Sequence, residues 1–191
     1  MARWRDPEAT GPRDTSAVML IPGPPAQLTK KVFNKLQKLP SLVPPRVCSA
    51  VFHTLWNGWC SARRFQQGKR PTNRCWLGCA GEAEDSIEHY CHCPVARGVL
   101  QKKLRIQLDQ YSCLPFFMLC THASGDDELS TLTAMYIYAV YMTTNFYRKA
   151  NVCDPIRASQ CLGQYLIQSC EGSRAMGALL DSRWNKPYIF L

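Results

Sequence analysis

Cys75-Trp-Leu-Gly-Cys79, followed after nine residues by His89-Tyr-Cys-His-Cys93, contains two pairs of side chains of the kinds that bind metal ions. Two cysteines separated by a short turn can place both sulfurs on one ion, and Gly78 relaxes that turn. His89 and Cys93 are four residues apart, so on a helix they lie on one face, one turn apart. The spacing therefore predicts a structural zinc site with four protein ligands, which leaves no position open for catalysis by the metal.

Neighbouring residues offer alternatives to this ligand set. Cys91 would point to another face of the helix, and a site that used His92 would need local unwinding. Accidental clustering is a further alternative, because the chain has eleven cysteines. Asp85 or Ser86 is expected to cap the helix. The helical spacing, the glycine and the shortness of the module favour these ligands of one Zn²⁺ ion: Cys75, Cys79, His89 and Cys93.

The positive charge of the chain is concentrated in its N-terminal half. The net charge is +9, and no acidic residue occurs between Asp14 and Glu82. Ten basic residues lie in that interval: Lys30, Lys31, Lys35, Lys38, Arg46, Arg63, Arg64, Lys69, Arg70 and Arg74. Outside it, thirteen Lys and Arg residues nearly balance fourteen Asp and Glu residues. This asymmetry favours a nucleic acid partner over an acidic membrane surface or a merely solvated basic face.

The basic residues nearest the predicted metal site form the expected nucleic-acid interface. They are Arg63, Arg64, Lys69, Arg70 and Arg74. Each can neutralise one phosphate, and aromatic rings among them can stack on unpaired bases. Trp76 is the best stacking candidate, whereas Trp56 and Trp59 lie on an apolar helix face and are expected in the core. No recognisable arrangement for reading base edges occurs here, so weak sequence selectivity is expected, with RNA or DNA left open.

Hydrophobic periodicity predicts an all-α fold, a small helical domain with an embedded CCHC-type zinc knuckle. Pro40 is expected to end the first helix, and Pro45 and Pro94 to begin later ones. The turn at 124–128 is expected to cap a long helix that ends near residue 149. The predicted helices cover residues 28–39, 45–56, 59–65, 94–110, 128–149 and 155–180, with 114–121 ambiguous.

Composition divides the chain into four segments. These are a disordered tail at 1–25, a basic helical segment at 26–110 with the knuckle at 75–93, a C-terminal helical region at 111–181, and a tail at 182–191. Residues 129–147 carry no charge, but their six polar side chains predict a buried helix and no membrane partner. The N-terminus has no apolar signal sequence, so a nuclear or cytoplasmic protein with reduced cysteines is expected.

Three groups of residues carry a resemblance to a known family. They are Trp56-Asn-Gly-Trp-Cys-Ser-Ala-Arg-Arg-Phe65, Cys75-x3-Cys79, and Glu84-Asp-Ser-Ile-Glu-His-Tyr90 with Cys93-Pro94. Over about residues 28–105 the chain resembles the zinc-binding region C-terminal to the reverse transcriptase domain of non-LTR retrotransposons. The resemblance implies a module that helps to hold template RNA or target DNA, with ligands Cys75, Cys79, His89 and Cys93. The polymerase motif Tyr-x-Asp-Asp does not occur, which indicates a detached or degenerate piece without its own catalysis.

Two other functions stay open at this point. One is a zinc-stabilised protein–protein interaction module, and the other is a non-functional relic of a retroelement. The cysteines outside the module show no C-x2-C spacing and so supply no second metal site of the RING-like kind. The sequence has no nucleophile elbow, phosphate-binding P-loop or H-E-x-x-H motif, so an enzyme is not expected.

Overall fold

A computed structural model describes residues 26–62, 64, 74–79, 83–120, 126–183 and 186–191. The predicted tail at 1–25 lies outside these residues. Helices predominate within them, which confirms the all-α class, and two very short strands are added. The elements are α1 (Ala26–Leu42), α2 (Pro45–Leu55), α3 (Ile87–His92), α4 (Pro94–Leu104), β1 (Ile106–Gln107), α5 (Cys113–Phe117), α6 (Asp127–Ala150), α7 (Pro155–Ser169), α8 (Arg174–Arg183) and β2 (Ile189–Phe190).

The long helix α6 is the centre of the fold. It begins where predicted, with the Asp126 carboxylate accepting the Leu129 N–H at 2.9 Å. It ends at Asn151, whose φ of 53° is the left-handed conformation that commonly terminates helices. Most of its side chains are buried, and α6 contacts α1, α2, α4, α5, α7 and α8. In the described ranges, no helix combines the length and apolar character needed to cross a membrane.

Two other predicted helix starts are also confirmed. Pro44 precedes α2, which has a proline in its first turn, and α2 ends before the Asn57-Gly58 turn. The carboxylate of Asp154 accepts the N–H groups of Ile156 and Arg157 and so caps α7. The Asp154 cap depends on backbone groups only two or three residues away, and the proline fixes the start of α2, so the sequence alone was sufficient to place both helix starts.

The prediction that Pro40 ends the first helix is wrong, because α1 continues through it to Leu42. A proline removes one backbone hydrogen bond, and near the last turn the remaining bonds hold. The Val43 N–H still donates to the Leu39 carbonyl at 3.1 Å. The short helix predicted at 59–65 is also wrong for its described residues, 59–62 and 64, which form turns and irregular structure.

Two helices differ from the prediction, and the tail pairs with the residues that follow one of them. The helix α4 ends at Leu104 instead of near residue 110, because the next residues pair with the tail as parallel strands β1 and β2. The single helix predicted at 155–180 is divided into α7 and α8 by a turn in which Gly172 has φ +82°. The tail docks back through Ile189, whose N–H donates to the Arg105 carbonyl at 2.8 Å. A contact between residues so far apart has no local signal.

The hydrophobic core draws on both the 26–110 and the 111–181 segments. Its members include Val47 and Val51 of α2, and Leu132 and Ile137 of α6. The Arg183 side chain, also buried, donates to the Leu104 carbonyl at 3.0 Å and so ties α8 to the end of α4. The module that carries the predicted ligands therefore packs onto the C-terminal helices.

Candidate metal centre

The turn between the first two predicted ligands depends on glycine. The Gly78 N–H donates to the Cys75 carbonyl at 3.1 Å, and Gly78 has φ +73°, which L-residues rarely adopt. A Cβ at this position would lie 2.9 Å from both Cδ and N of Pro155, at the start of α7. Gly78 is thus required by its backbone conformation and by the close approach of another helix.

The second pair of predicted ligands lies on and beside α3. Ser86 is the N-cap, as one of the two predicted alternatives, and its hydroxyl accepts the His89 N–H at 3.1 Å. Cys93 is both the C-cap of α3 and the residue before Pro94 of α4. The junction of two helices therefore fixes where Cys93 stands relative to His89.

The four predicted ligands lie close together. Cys75 Sγ is 3.7 Å from Cys93 Sγ, and Cys79 Sγ is 3.4 Å from His89 Nε2. All four ligand atoms are within 4.8 Å of one another, so the cluster could hold a metal ion. Cys75 and Cys93 are buried, while Cys79 and His89 are partly exposed and give the cluster one side toward solvent.

Neither of the competing residues, Cys91 and His92, belongs to the cluster. The Cys91 thiol donates to the Ile87 carbonyl at 3.1 Å and is buried in the core. His92 is exposed and does not belong to the cluster of candidate ligands. All eleven cysteines are free thiols, as expected for reduced residues.

Three thiols in one cluster cannot all be ionised without a cation. A hydrogen bond from Cys93 lowers the pKa of Cys75 to about 4. Burial acts in the opposite direction, and a hydrogen bond with His89 lowers this pKa further. Burial and the nearby Cys75 raise the pKa of Cys79 to about 11. The hydrogen bond with Cys75, followed by burial, raises the pKa of Cys93. One thiolate is therefore stable alone, and a divalent cation would stabilise the other two.

Asp85, which the sequence offered only as a possible cap, is the buried residue that holds this region together. Its side chain is 2% exposed. Its carboxylate accepts hydrogen bonds from four groups: the Ala62 N–H at 2.8 Å, Trp76 Nε1 at 3.1 Å, the Tyr90 hydroxyl at 2.7 Å and Arg148 at 2.8 Å. Trp76 follows ligand Cys75, and Tyr90 follows ligand His89. One carboxylate thus links both halves of the cluster.

Arg148 supplies the counter-charge for this carboxylate from the end of α6. Its guanidinium is mostly buried, contacts Asp85 with two nitrogens and donates a third hydrogen bond to Asn145 at 2.8 Å. A buried carboxylate without such a partner would be costly, because ions lose their hydration in the interior. The sequence indicated only that Arg148 favours the helix terminus.

The structure describes two of the five basic residues predicted to bind nucleic acid. Arg64 and Arg74 are exposed, whereas Arg63, Lys69 and Arg70 lie outside the described residues. The prediction that Trp76 stacks on bases is wrong: its ring is 3% exposed and its indole N–H is bound to Asp85. The guanidinium of Arg74 lies 5.3 Å from the Trp76 ring centroid, so the ring supports a basic side chain.

The two other tryptophans behave differently from one another. Trp59 is buried as predicted, and its Nε1 donates to the Thr54 hydroxyl at 2.9 Å. The same prediction for Trp56 is wrong, because 68% of that residue is exposed. Asn57, with φ 49°, lies in the turn that follows α2 between them, and only the Trp59 ring reaches the core.

We expect Asp85→Ala to lower the free energy of unfolding by about 3–5 kcal/mol, because it leaves Arg148 buried without its partner. Urea denaturation measures this loss. The matched control is Glu88→Ala, an exposed acid on α3, for which we expect a loss under about 1 kcal/mol. Equal losses in the two variants would contradict the role of Asp85.

Two glycine substitutions should change thermal stability in opposite directions. Gly78→Ala forces an L-residue into a left-handed conformation against Pro155, which costs about 1–2 kcal/mol or more. Gly98→Ala lies in α4 with open space around its new Cβ, and should stabilise by up to about 1 kcal/mol. Differential scanning calorimetry compares the two. A Gly78→Ala protein as stable as the parent would refute the close packing on α7.

Comparison of the chain with models of known protein families, with curated proteins and with solved structures gives no significant match.

Proposed function

We propose that this chain is a zinc-stabilised module that binds RNA or DNA phosphates through a basic surface and catalyses no reaction of its own. The observation that carries the proposal is a closed cluster of four ligands at the end of a long acid-free stretch. Arg74 directly precedes the first ligand, and Arg64 lies ten residues before it. A metal-fixed fold would hold both cations in place before a nucleic acid arrives, which reduces the entropy lost on binding.

Two distances within the cluster fit zinc. Tetrahedral bonds of about 2.3 Å to sulfur and 2.0 Å to nitrogen place two sulfurs about 3.8 Å apart, and sulfur about 3.5 Å from nitrogen. The corresponding distances are 3.7 Å between Cys75 and Cys93 and 3.4 Å between Cys79 and His89. Among the common divalent ions, zinc favours thiolate and imidazole ligands, so three thiolates and one imidazole suit it. Four protein ligands leave no position for a reactive water, so the ion would be structural.

The side chains around the cluster support phosphate binding. Arg64 and Arg74 are exposed, and the Trp76 ring beneath Arg74 is fixed by its bond to Asp85. An arginine that rests on an aromatic ring loses less side-chain entropy when it binds a phosphate. The proposal extends to Arg63, which adjoins Arg64 in sequence, and to Lys69 and Arg70, which lie between Arg64 and Arg74 in sequence.

A second candidate function is a zinc-stabilised protein–protein interaction module. One observation favours it: part of the positive charge in the acid-free stretch is used within the fold. Lys38 forms an ion pair with Asp127, and Arg46 donates to the carbonyls of Gln168 and Glu171. Lys35 donates to the Leu119 carbonyl. These contacts reduce the charge available to a polyanion on this side of the molecule.

The proposal extends to the origin of the module in a non-LTR retrotransposon polyprotein, acting in the nucleus or cytoplasm. Two described residues that carry the resemblance, Trp59 and Tyr90, support it because they lie in contact beside the cluster. Trp59 packs on Tyr90 with ring centroids 5.7 Å apart, and Tyr90 donates to Asp85. In the proposal, the motif is present because its residues support the folding of the metal module.

Metal analysis tests the zinc assignment. We expect about one zinc per chain in the parent purified without added metal, and none in Cys79→Ser or His89→Ala, because three ligands bind far more weakly. Plasma mass spectrometry measures the content. The matched controls are Cys60→Ser and His92→Ala, an exposed thiol and an exposed imidazole that should retain the metal. Zinc retained in His89→Ala, or lost equally in the controls, would refute the ligand set.

The salt dependence of binding tests the nucleic-acid function. If five phosphates are contacted on a single strand, log K against log salt should have a slope of about −3.5. Arg63→Glu with Arg64→Glu should abolish binding, measured by fluorescence anisotropy. Lys149→Glu with Arg174→Glu changes the net charge equally but lies on α6 and α8, and should bind nearly as the parent does. A flat salt response, or equal losses in both variants, would refute phosphate binding by this surface.

A further inference from the structure

An open apolar groove lies between α1 and α2, and two aromatic rings stand at one end of it. Its lining includes Pro40 of α1 and Pro45, Phe52, His53 and Trp56 of the α2 segment. We propose that this groove receives unpaired bases of a single-stranded nucleic acid and that Trp56 is the residue on which a base stacks. The inference rests on the proposed function and adds to it the strand type and the stacking residue.

The Trp56 ring is available for base stacking because it is exposed to solvent, whereas Trp59 fills the core. Trp59 occupies the interior beside Tyr90 and Phe117. Trp56 is left at the C-cap of α2 with its neighbour Phe52, and the two ring centroids are 5.4 Å apart at an interplanar angle of 44°. An exposed π face is what base stacking requires, and it accepts any base.

The element that carries Trp56 is held firmly. The opposite face of α2 buries Val47 and Val51 in the core, where the helix packs on α6. His53 stacks on Tyr141 of α6 with ring centroids 5.7 Å apart and planes within 7°. A Cβ on Gly58 would lie 2.7 Å from His53 Nδ1, so the turn after Trp56 also presses against this histidine. A base would therefore meet a preformed platform, which limits the entropy cost of binding.

Lys35, Lys38 and Arg46 of these two helices are engaged within the fold, so the exposed Lys30 carries the charge argument for a polyanion over a neutral apolar partner. Neither α1 nor α2 contains an acidic residue. Lys30 is exposed and lies on the face of α1 that also carries the exposed Phe33 and Pro40, since positions 30, 33, 37 and 40 follow helical spacing. A single strand can place bases on the rings and phosphates beside the lysine. Double-stranded nucleic acid cannot, because its bases are already stacked inside the duplex.

Fluorescence anisotropy with a labelled oligouridine of about 12 nucleotides, alone or in duplex with oligoadenylate, tests the proposal. Trp56→Ala should weaken binding of the single strand by about 5- to 100-fold, and Trp56→Phe should restore most of it. Duplex affinity and the salt slope should stay unchanged. The matched control is Tyr111→Ala, which removes an aromatic residue that is 89% exposed away from the groove. Because Trp56 is exposed, the variants should unfold at the parent's temperature.

The outcomes distinguish a failure of the proposed function from a failure of the groove assignment. If the parent binds neither strand form at low salt, the proposed function fails. If the parent binds with a steep salt slope but Trp56→Ala binds equally well, only the groove assignment is overturned. Equal losses in Trp56→Ala and Tyr111→Ala, or equal losses on duplex and single strand, also overturn it. A last outcome would assign the groove to a protein partner instead. In that outcome an amphipathic peptide of Leu and Glu binds the parent and not Trp56→Ala, whereas oligouridine binds both equally well.

Discussion

The ion pair between Asp85 and Arg148 is the contact on which the region around the Cys/His cluster depends. A carboxylate in the interior is stable only if its charge and all its acceptor sites are matched by donors. Here the donors come from four separate segments, and Arg148 alone lies 63 residues away in sequence. The consequence is that the local pattern of cysteines and histidine is completed by the distant helix α6. The module and the helical region thus share one electrostatic centre as well as one core.

Features that depend on nearby residues could be predicted from the sequence. Ser86, Asp126 and Asp154 cap their helices through side chains that reach only two or three positions onward. The two pairs of candidate ligands could be predicted for the same reason, because the turn with Gly78 brings one pair together and one helical turn brings the other together. The sequence further indicated that α6 is buried, since an uncharged stretch with several hydroxyl groups suits an interior helix.

Features set by distant partners could not be predicted. The end of α4 at Leu104 follows from pairing with the tail, and neither segment shows this pairing by itself. Trp56 and Trp59 looked equivalent because both were assigned to an apolar helix face, on either side of the break predicted at Asn57-Gly58, and the left-handed conformation of Asn57 separates them. Trp76 was assigned to bases instead of the interior because the buried acceptor for its indole, Asp85, is recognisable only once α3 is placed beside the cysteine turn.

The contact of Gly78 with Pro155 has a consequence for how the chain is made. Ribosomes add roughly 5–20 residues each second, so Pro155 is synthesised roughly 4–15 s after Gly78. During that interval the nascent cysteine turn has neither the α7 surface nor the Arg148 guanidinium against which it later rests. A metal ion that binds at this stage would meet a pliable loop, and tight capture would wait until translation has passed the last helices.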